Sequence, residues 1–184
     1  LVKEGLDPQK DVTWANMEYG ASLSALEKGR VDAAYMRSIN KGEIEEMGAK
    51  ILVDASDPVQ HKEVFGSEKY ESGIVTITKK FAESNPETIQ KFTNAVARAI
   101  IWQSEHSDEE IAQMVRPQFE GANLNATRVK YLRTSLSNDG NISQEGYSVI
   151  HKFCKDEGII TKDIPYESVI DLSFINKANA QLQK

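Results

Sequence analysis

Apolar residues at Ala21, Leu23, Ala25 and Leu26 recur among good helix formers, and the run stops at Gly29, a residue suited to a left-handed C-terminal cap. The pattern then changes period. Val31, Ala33 and Ala34 form a short apolar run ending at Tyr35 and Met36, the composition expected of a strand covered on both faces. Upstream, Val12, Thr13 and Trp14 are β-formers within Asp11–Met17, and Glu18, Tyr19 and Gly20 read as the turn before the helix. Strand, helix, strand in this order predicts a right-handed parallel crossover. A short helix over Glu43–Met47, ended by Gly48, and a further strand over Ala49–Val53 extend this unit up to the breakers Asp54, Ser56, Asp57 and Pro58.

The second half of the chain changes character. Gly73–Thr78 is β-branched at almost every position and predicts a strand that carries the chain out of the first unit, with a hinge close to it. From there the periodicity is helical. Asn85 as N-cap and Pro86 at the first position open a helix with Ile89, Phe92, Val96 and Ile100 on one stripe. Ser107 and Glu110 form a capping box for a helix that stops at Pro117. Asn125 caps a helix with Val129, Leu132 and Leu136 inward, and Ser143 caps another through Val149, Ile150 and Phe153 to Gly158. A last helix starts near Tyr166, carries Val169 and Ile170, and breaks near Ser173 before Phe174 and Ile175.

Three segments in order resemble one family. "A-L-x-x-G-x-V-D-A-A" at Ala25–Ala34, the FAESNPETIQKFTNAVARAIIW element at Phe81–Trp102 and DLSFINKA at Asp171–Ala178 are similar to elements of extracytoplasmic solute-binding proteins of the nitrate, sulfonate and taurine type. These are the soluble receptors of ATP-driven importers. The resemblance implies an α/β, type-two periplasmic-binding-protein-like fold, here incomplete: a parallel-sheet lobe followed by a mainly helical C-terminal part. Residues 1–72 would belong to the second ligand-binding lobe, and 73–184 to the return to the first lobe and the C-terminal helices. Leu1, Val2 and Leu6 around Gly5 read as the last turn of a helix, so the N-terminal portion of the family fold is expected to be absent.

Composition narrows the function classes. The chain has 184 residues, 40% hydrophobic and 27% charged, which suits an ordinary globular protein with a sizeable core. No apolar run approaches the roughly 20 residues needed to span a bilayer, and the first residues lack signal-peptide order. A formal charge of -6 disfavours a nucleic-acid or anionic-membrane surface. Cys154 is the only cysteine, so no intrachain disulfide can form, and its place beside Phe153 suits a small buried hydrophobe. A periplasmic or other extracytoplasmic location, free or as a membrane-tethered lipoprotein, is implied only by the resemblance.

Catalytic chemistry finds no constellation. His61, His106 and His151 are scattered beside polar residues, which suits surface or cap roles, and no metal or cofactor site is expected. Neither a nucleophile elbow, a phosphate-binding loop nor a dinucleotide fingerprint is present. Glu45-Glu46 and Glu109-Glu110 suit solvated helix turns.

Binding chemistry belongs instead at the carboxyl ends of parallel strands, where the crevice of an open α/β sheet lies. Tyr19 and Gly20 follow the first predicted strand, and Met36, Arg37 and Ser38 follow the second. Tyr19 would cover an apolar part of a ligand, the following helix N-terminus would offer N–H groups to an anion, and Arg37 would pair with its charge. Alternatively, Tyr19 caps a core edge and Arg37 pairs with Glu43 or Asp32. Thr76 offers a hydroxyl from the returning strand, with Thr78 beside it, though β-propensity alone also explains both.

The resemblance implies a substrate-binding component that closes two lobes on a small anion, a sulfonate, nitrate or similar compound, and presents it to a membrane permease. The chain departs from the family at RSINKG, residues 37–42, where a Trp or Asp-Pro is usual, which weakens transfer of the ligand class. The alternatives are a pyrimidine-precursor (thiamine pathway) binding protein or enzyme of the same fold, and an effector-binding sensor domain. A dimer through the face left by the absent portion is a further expectation.

Overall fold

The computed structural model describes residues 1–70, 73–119 and 124–182, and for Tyr19 the backbone. The expected domain boundary at 72/73 therefore adjoins residues outside the described set. Among the described residues ten α-helices follow one another: α1 (Tyr19–Glu27), α2 (Lys41–Glu46), α3 (Pro58–Phe65), α4 (Lys79–Ser84), α5 (Pro86–Glu105), α6 (Asp108–Val115), α7 (Ala126–Arg133), α8 (Gln144–Asp156), α9 (Tyr166–Val169) and α10 (Ser173–Leu182). Short 3-10 turns occupy Val2–Glu4, Ser38–Asn40 and Arg116–Gln118.

The helix boundaries follow local chemistry. Gly29, with φ +60°, closes α1: its N–H donates to the Leu26 carbonyl, and Arg30 N–H donates to that of Ala25. Ser107 Oγ accepts from Glu110 N–H while the Glu110 carboxylate accepts from Ser107 N–H at 2.9 Å, the capping box expected for α6. Asn125 and Ser143 cap α7 and α8 through Arg128 N–H and Gly146 N–H. Asn85 behaves differently: its backbone sits at φ −137°, ψ 46°, and its side-chain amide donates back to the Phe81 carbonyl, closing α4 instead of capping α5. The supposed breaker at Asp57-Pro58 is a helix start. Asp57 Oδ1 accepts from both Val59 and Gln60 N–H, Pro58 takes the first position, and Gly66 at φ +80° ends α3.

The parallel sheet is not formed among the described residues. Residues 12–18, 33–37, 49–54 and 74–78 run without ladder pairing, and the non-helical backbone hydrogen bonds among the described residues are all local in sequence. The physical reason is that β-propensity records fit to a neighbouring strand and to a covered face. These segments have neither here, and Trp14, Tyr35, Leu52, Val75 and Ile77 stand exposed.

The helical half holds the core. Ile111, Ala112, Leu124 and Val129 form one cluster, with Ile39, Trp102 and Val115 packed around it. Ala97, Ile175 and Ala178 form a second between α5 and α10, with Leu172 and Leu182 against it. Gly140 is squeezed against this second cluster: at φ +74°, a Cβ there would lie 2.9 Å from Ile175 Cδ1. Several residues expected to face inward do not. Phe92 and Leu132 are exposed on their helices, and Leu136 is exposed past the end of α7, which stops at Arg133.

Candidate functional site

The candidate residues fall on three pieces of chain. Tyr19 and Gly20 open α1, with Glu18 before them at φ −55°, ψ 138°. The side chain of Tyr19 lies outside the described set, and Gly20 is exposed. Met36 is half-buried and Arg37 exposed; Arg37, at φ −82°, ψ 151°, leads directly into the 3-10 turn that begins with Ser38. Thr76 is exposed in the unpaired stretch 74–78, and so are its neighbours from Gly73 to Lys80. Met36, Arg37 and Ser38 thus share one loop, whereas Tyr19 with Gly20, and Thr76, sit on separate segments.

What the structure adds is the seat of that loop. Residues 38–45 lie along α7. Ser38 Oγ is 3.0 Å from Ser135 Oγ, just past the end of α7. Asn40 donates its side-chain N–H to Glu43 Oε2 at 2.6 Å, and Arg128 pairs with the other oxygen of the same carboxylate. Tyr131 O–H donates to Glu45 at 3.0 Å. Lys41 bonds Asp54 at 2.5 Å, and its ammonium stands 5.5 Å from the centre of the Tyr131 ring. Gly42 lets the two elements approach, since a Cβ there would lie 3.0 Å from Thr127 Cγ2. Beneath these polar contacts Ile39 packs on the first core cluster.

The charges respond to this packing. Burial pushes the Glu43 carboxyl up, but hydrogen bonds from Arg128 and Asn40 outweigh it and hold the group below the usual carboxylate range. Burial also pushes Asp54 up, and Lys41 with Ser56 outweighs it in the same way. Lys41 is raised, chiefly by its bond to Asp54. Tyr131 is raised, chiefly by donating to Glu45.

From the sequence, Glu43 starts a short helix and is one alternative partner for Arg37. In the folded chain its carboxylate is engaged by Arg128 and Asn40. Arg128, 85 residues away, carried no local signal beyond its place on a capped helix. Glu45 and Glu110 accept hydrogen bonds from protein groups, so these two are not simply solvated. His106 does close α5, stacking on Trp102 at 4.1 Å. His61 is instead buried, lodged by Phe65 and Tyr70. Its Nδ1 lies 2.5 Å from the Ser67 carbonyl, which can only accept, so Nδ1 carries the proton. Cys154 is half-buried.

Among the described residues, no group of His, Cys, Asp and Glu is arranged to hold a metal, and no helix is long and apolar enough to cross a membrane. A shallow groove between α5 and α10, about 310 Å³ in volume, is lined by Pro86, Glu87, Gln90, Lys91, Phe174 and Lys177, none of them a predicted ligand residue.

The stretch that holds both candidate turns also carries the sequence likeness. Residues 1–110 match the family described as NMT1/THI5 like, and the chain belongs to that family. The family's fold is of the periplasmic-binding-protein kind. Among relatives, a Bacillus subtilis (strain 168) protein named "Putative aliphatic sulfonates-binding protein" is 27% identical over 175 residues, covering 91% of this chain and 48% of its own length. A second protein of the same organism, "Putative binding protein YtlA", is 21% identical over 188 residues, covering 98% of this chain and 54% of its own length. The chain spans about half the length of these curated relatives. No solved structure matches it.

Proposed function

We propose that this chain belongs to the solute-binding component of an ATP-driven importer, which takes a small anion, a sulfonate, nitrate or similar compound, between two lobes. It acts by binding and not by catalysis, outside the cytoplasm, and hands its ligand to a membrane permease. The anion is received at the N-terminus of α1 and by Arg37, with Tyr19, Gly20, Met36, Ser38 and Thr76 around it. The unpaired segments 12–18, 33–37, 49–54 and 74–78 become strands of a parallel sheet when neighbours are supplied by the half of the relatives' length that this chain does not cover. Residues 1–72 and 73–184 then belong to different lobes.

The observation that carries this reading is the family match over residues 1–110, a span that contains all six candidate residues. The relative named for aliphatic sulfonates supports the anion class. The test is a thermal-shift screen of the chain with the remaining portion of the two-lobed fold restored, against alkanesulfonates, nitrate, carboxylates, amines and pyrimidines. A ligand at about a hundredfold over its Kd raises stability by about 2.7 kcal/mol. A shift confined to sulfonates or nitrate is the expected result. A response to pyrimidines with none to anions would replace this reading with the pyrimidine-precursor alternative.

A further inference from the structure

We infer that Arg128 is a positioning residue for the anion site: through Glu43 it fixes the 37–40 turn on α7, and so sets where Arg37 presents its guanidinium. The inference rests on the proposed anion-binding reading. The geometry is a chain of contacts. The side chain of Arg128 projects from the first turn of α7 to one Glu43 oxygen, and the other oxygen accepts from Asn40, the last residue of the turn that Arg37 precedes. The backbone closes the same turn, Asn40 N–H donating to the Arg37 carbonyl at 3.0 Å. Ser38 is tethered at the other end to Ser135. A flexible cationic side chain gives its full contribution to an anion only if its backbone is already placed, because ordering it at the moment of binding costs affinity.

A second ion pair on the same helix supplies the control. Arg133 bonds Asp108 at 2.8 Å and the His106 carbonyl at 3.2 Å, tying α7 to α6. Its side-chain exposures, 31% and 27%, are close to the 21% and 31% of Arg128 and Glu43. Loss of either pair costs stability, but only the first holds the Arg37 turn.

The experiment compares Arg128→Met, Arg128→Lys, Glu43→Gln and Arg133→Met in the chain with the remaining portion of the two-lobed fold restored. Two quantities are read: affinity for the alkanesulfonate that gives the largest thermal shift with the parent chain, and amide hydrogen exchange over residues 37–47. Expected for Arg128→Met and Glu43→Gln is a loss of affinity on the order of tenfold, with exchange at Asn40 faster by a similar factor. Arg128→Lys keeps the charge and recovers part of both. Arg133→Met lowers stability with affinity within about twofold of the parent. Equal affinity losses in Arg128→Met and Arg133→Met, or unchanged exchange at Asn40, overturn the inference. A two-lobed parent that binds no anion at all overturns the functional reading instead, a result visible before any variant is made.

Discussion

Replacing Gly140 with alanine tests how closely α10 packs on α5. Gly140 has φ +74°, and the added methyl would lie 2.9 Å from Ile175 Cδ1, 3.1 Å from Ile175 Cγ1 and 3.2 Å from Ile100 Cδ1. The backbone conformation alone costs an alanine about 1–2 kcal/mol. Ile175 cannot swing away, because it is buried against Ala97 and Ala178. Overpacking at such a site adds about 1–3 kcal/mol, so the loss should total about 2–5 kcal/mol, a large part of a typical domain's stability. Gly66 is the reference: its φ is +80°, but a Cβ there meets nothing within 4 Å, so Gly66→Ala should cost only the backbone part. Urea unfolding with unchanged m reads both. Ile175→Val removes the Cδ1 atom at the closest contact, so the double variant with Gly140→Ala should lose less than the sum of the singles by about 1 kcal/mol. If Gly140→Ala and Gly66→Ala agree within about 0.5 kcal/mol, the reasoning fails.

Three further outcomes are expected. Ser107→Ala removes the acceptor for Glu110 N–H and should lower stability by about 1 kcal/mol in chemical denaturation, and a loss near zero would mean the capping box does not form in solution. Ile111→Ala opens a cavity in the first core cluster and should cost about 2–4 kcal/mol by the same assay, whereas a loss under about 1 kcal/mol would place Ile111 at the surface. The carboxyls of Glu43, Asp54 and Asp139 are lower in the folded chain than in the unfolded one, so their stabilisation is present above the unfolded value and disappears as pH falls through the folded value. Melting temperature should therefore drop below about pH 4, less steeply in Glu43→Gln; parallel acid limbs in the two proteins would contradict this.

Signals confined to one or two turns were legible in the sequence. Gly29, Gly48 and Gly158 adopt positive φ where a stop was expected, and Ser107, Asn125 and Ser143 cap the helices they were read to cap. The misread positions show where local logic ends. Asp57-Pro58 has the chemistry of a break and of a helix start, and only the following residues and Gly66 distinguish them. The Asn85 side chain can donate as well as accept, and it donates to the Phe81 carbonyl at the end of α4. Val12, Val31 and Val75 favour strands, yet a strand needs a partner that no single segment supplies. At the candidate site the Arg37 loop could be located from its place after an apolar run, but Ser135 and Arg128 lie 97 and 85 residues from their partners Ser38 and Glu43, beyond any periodicity.

The stretch Gly73–Thr78 has a consequence for the life of the chain in solution. Its backbone donors and acceptors form no ladder, and Ile74, Val75 and Ile77 add a β-branched apolar surface without a charge among them. Such a segment is a template for cross-β stacking, in which identical copies satisfy one another's amides. Lys79 and Lys80 follow at once, in the position where like charges bring stacked copies into repulsion and act as gatekeepers. The six residues of this stretch and the two lysines after it thus act in opposite directions on self-association, and raising ionic strength, by screening the lysines, weakens the opposing one.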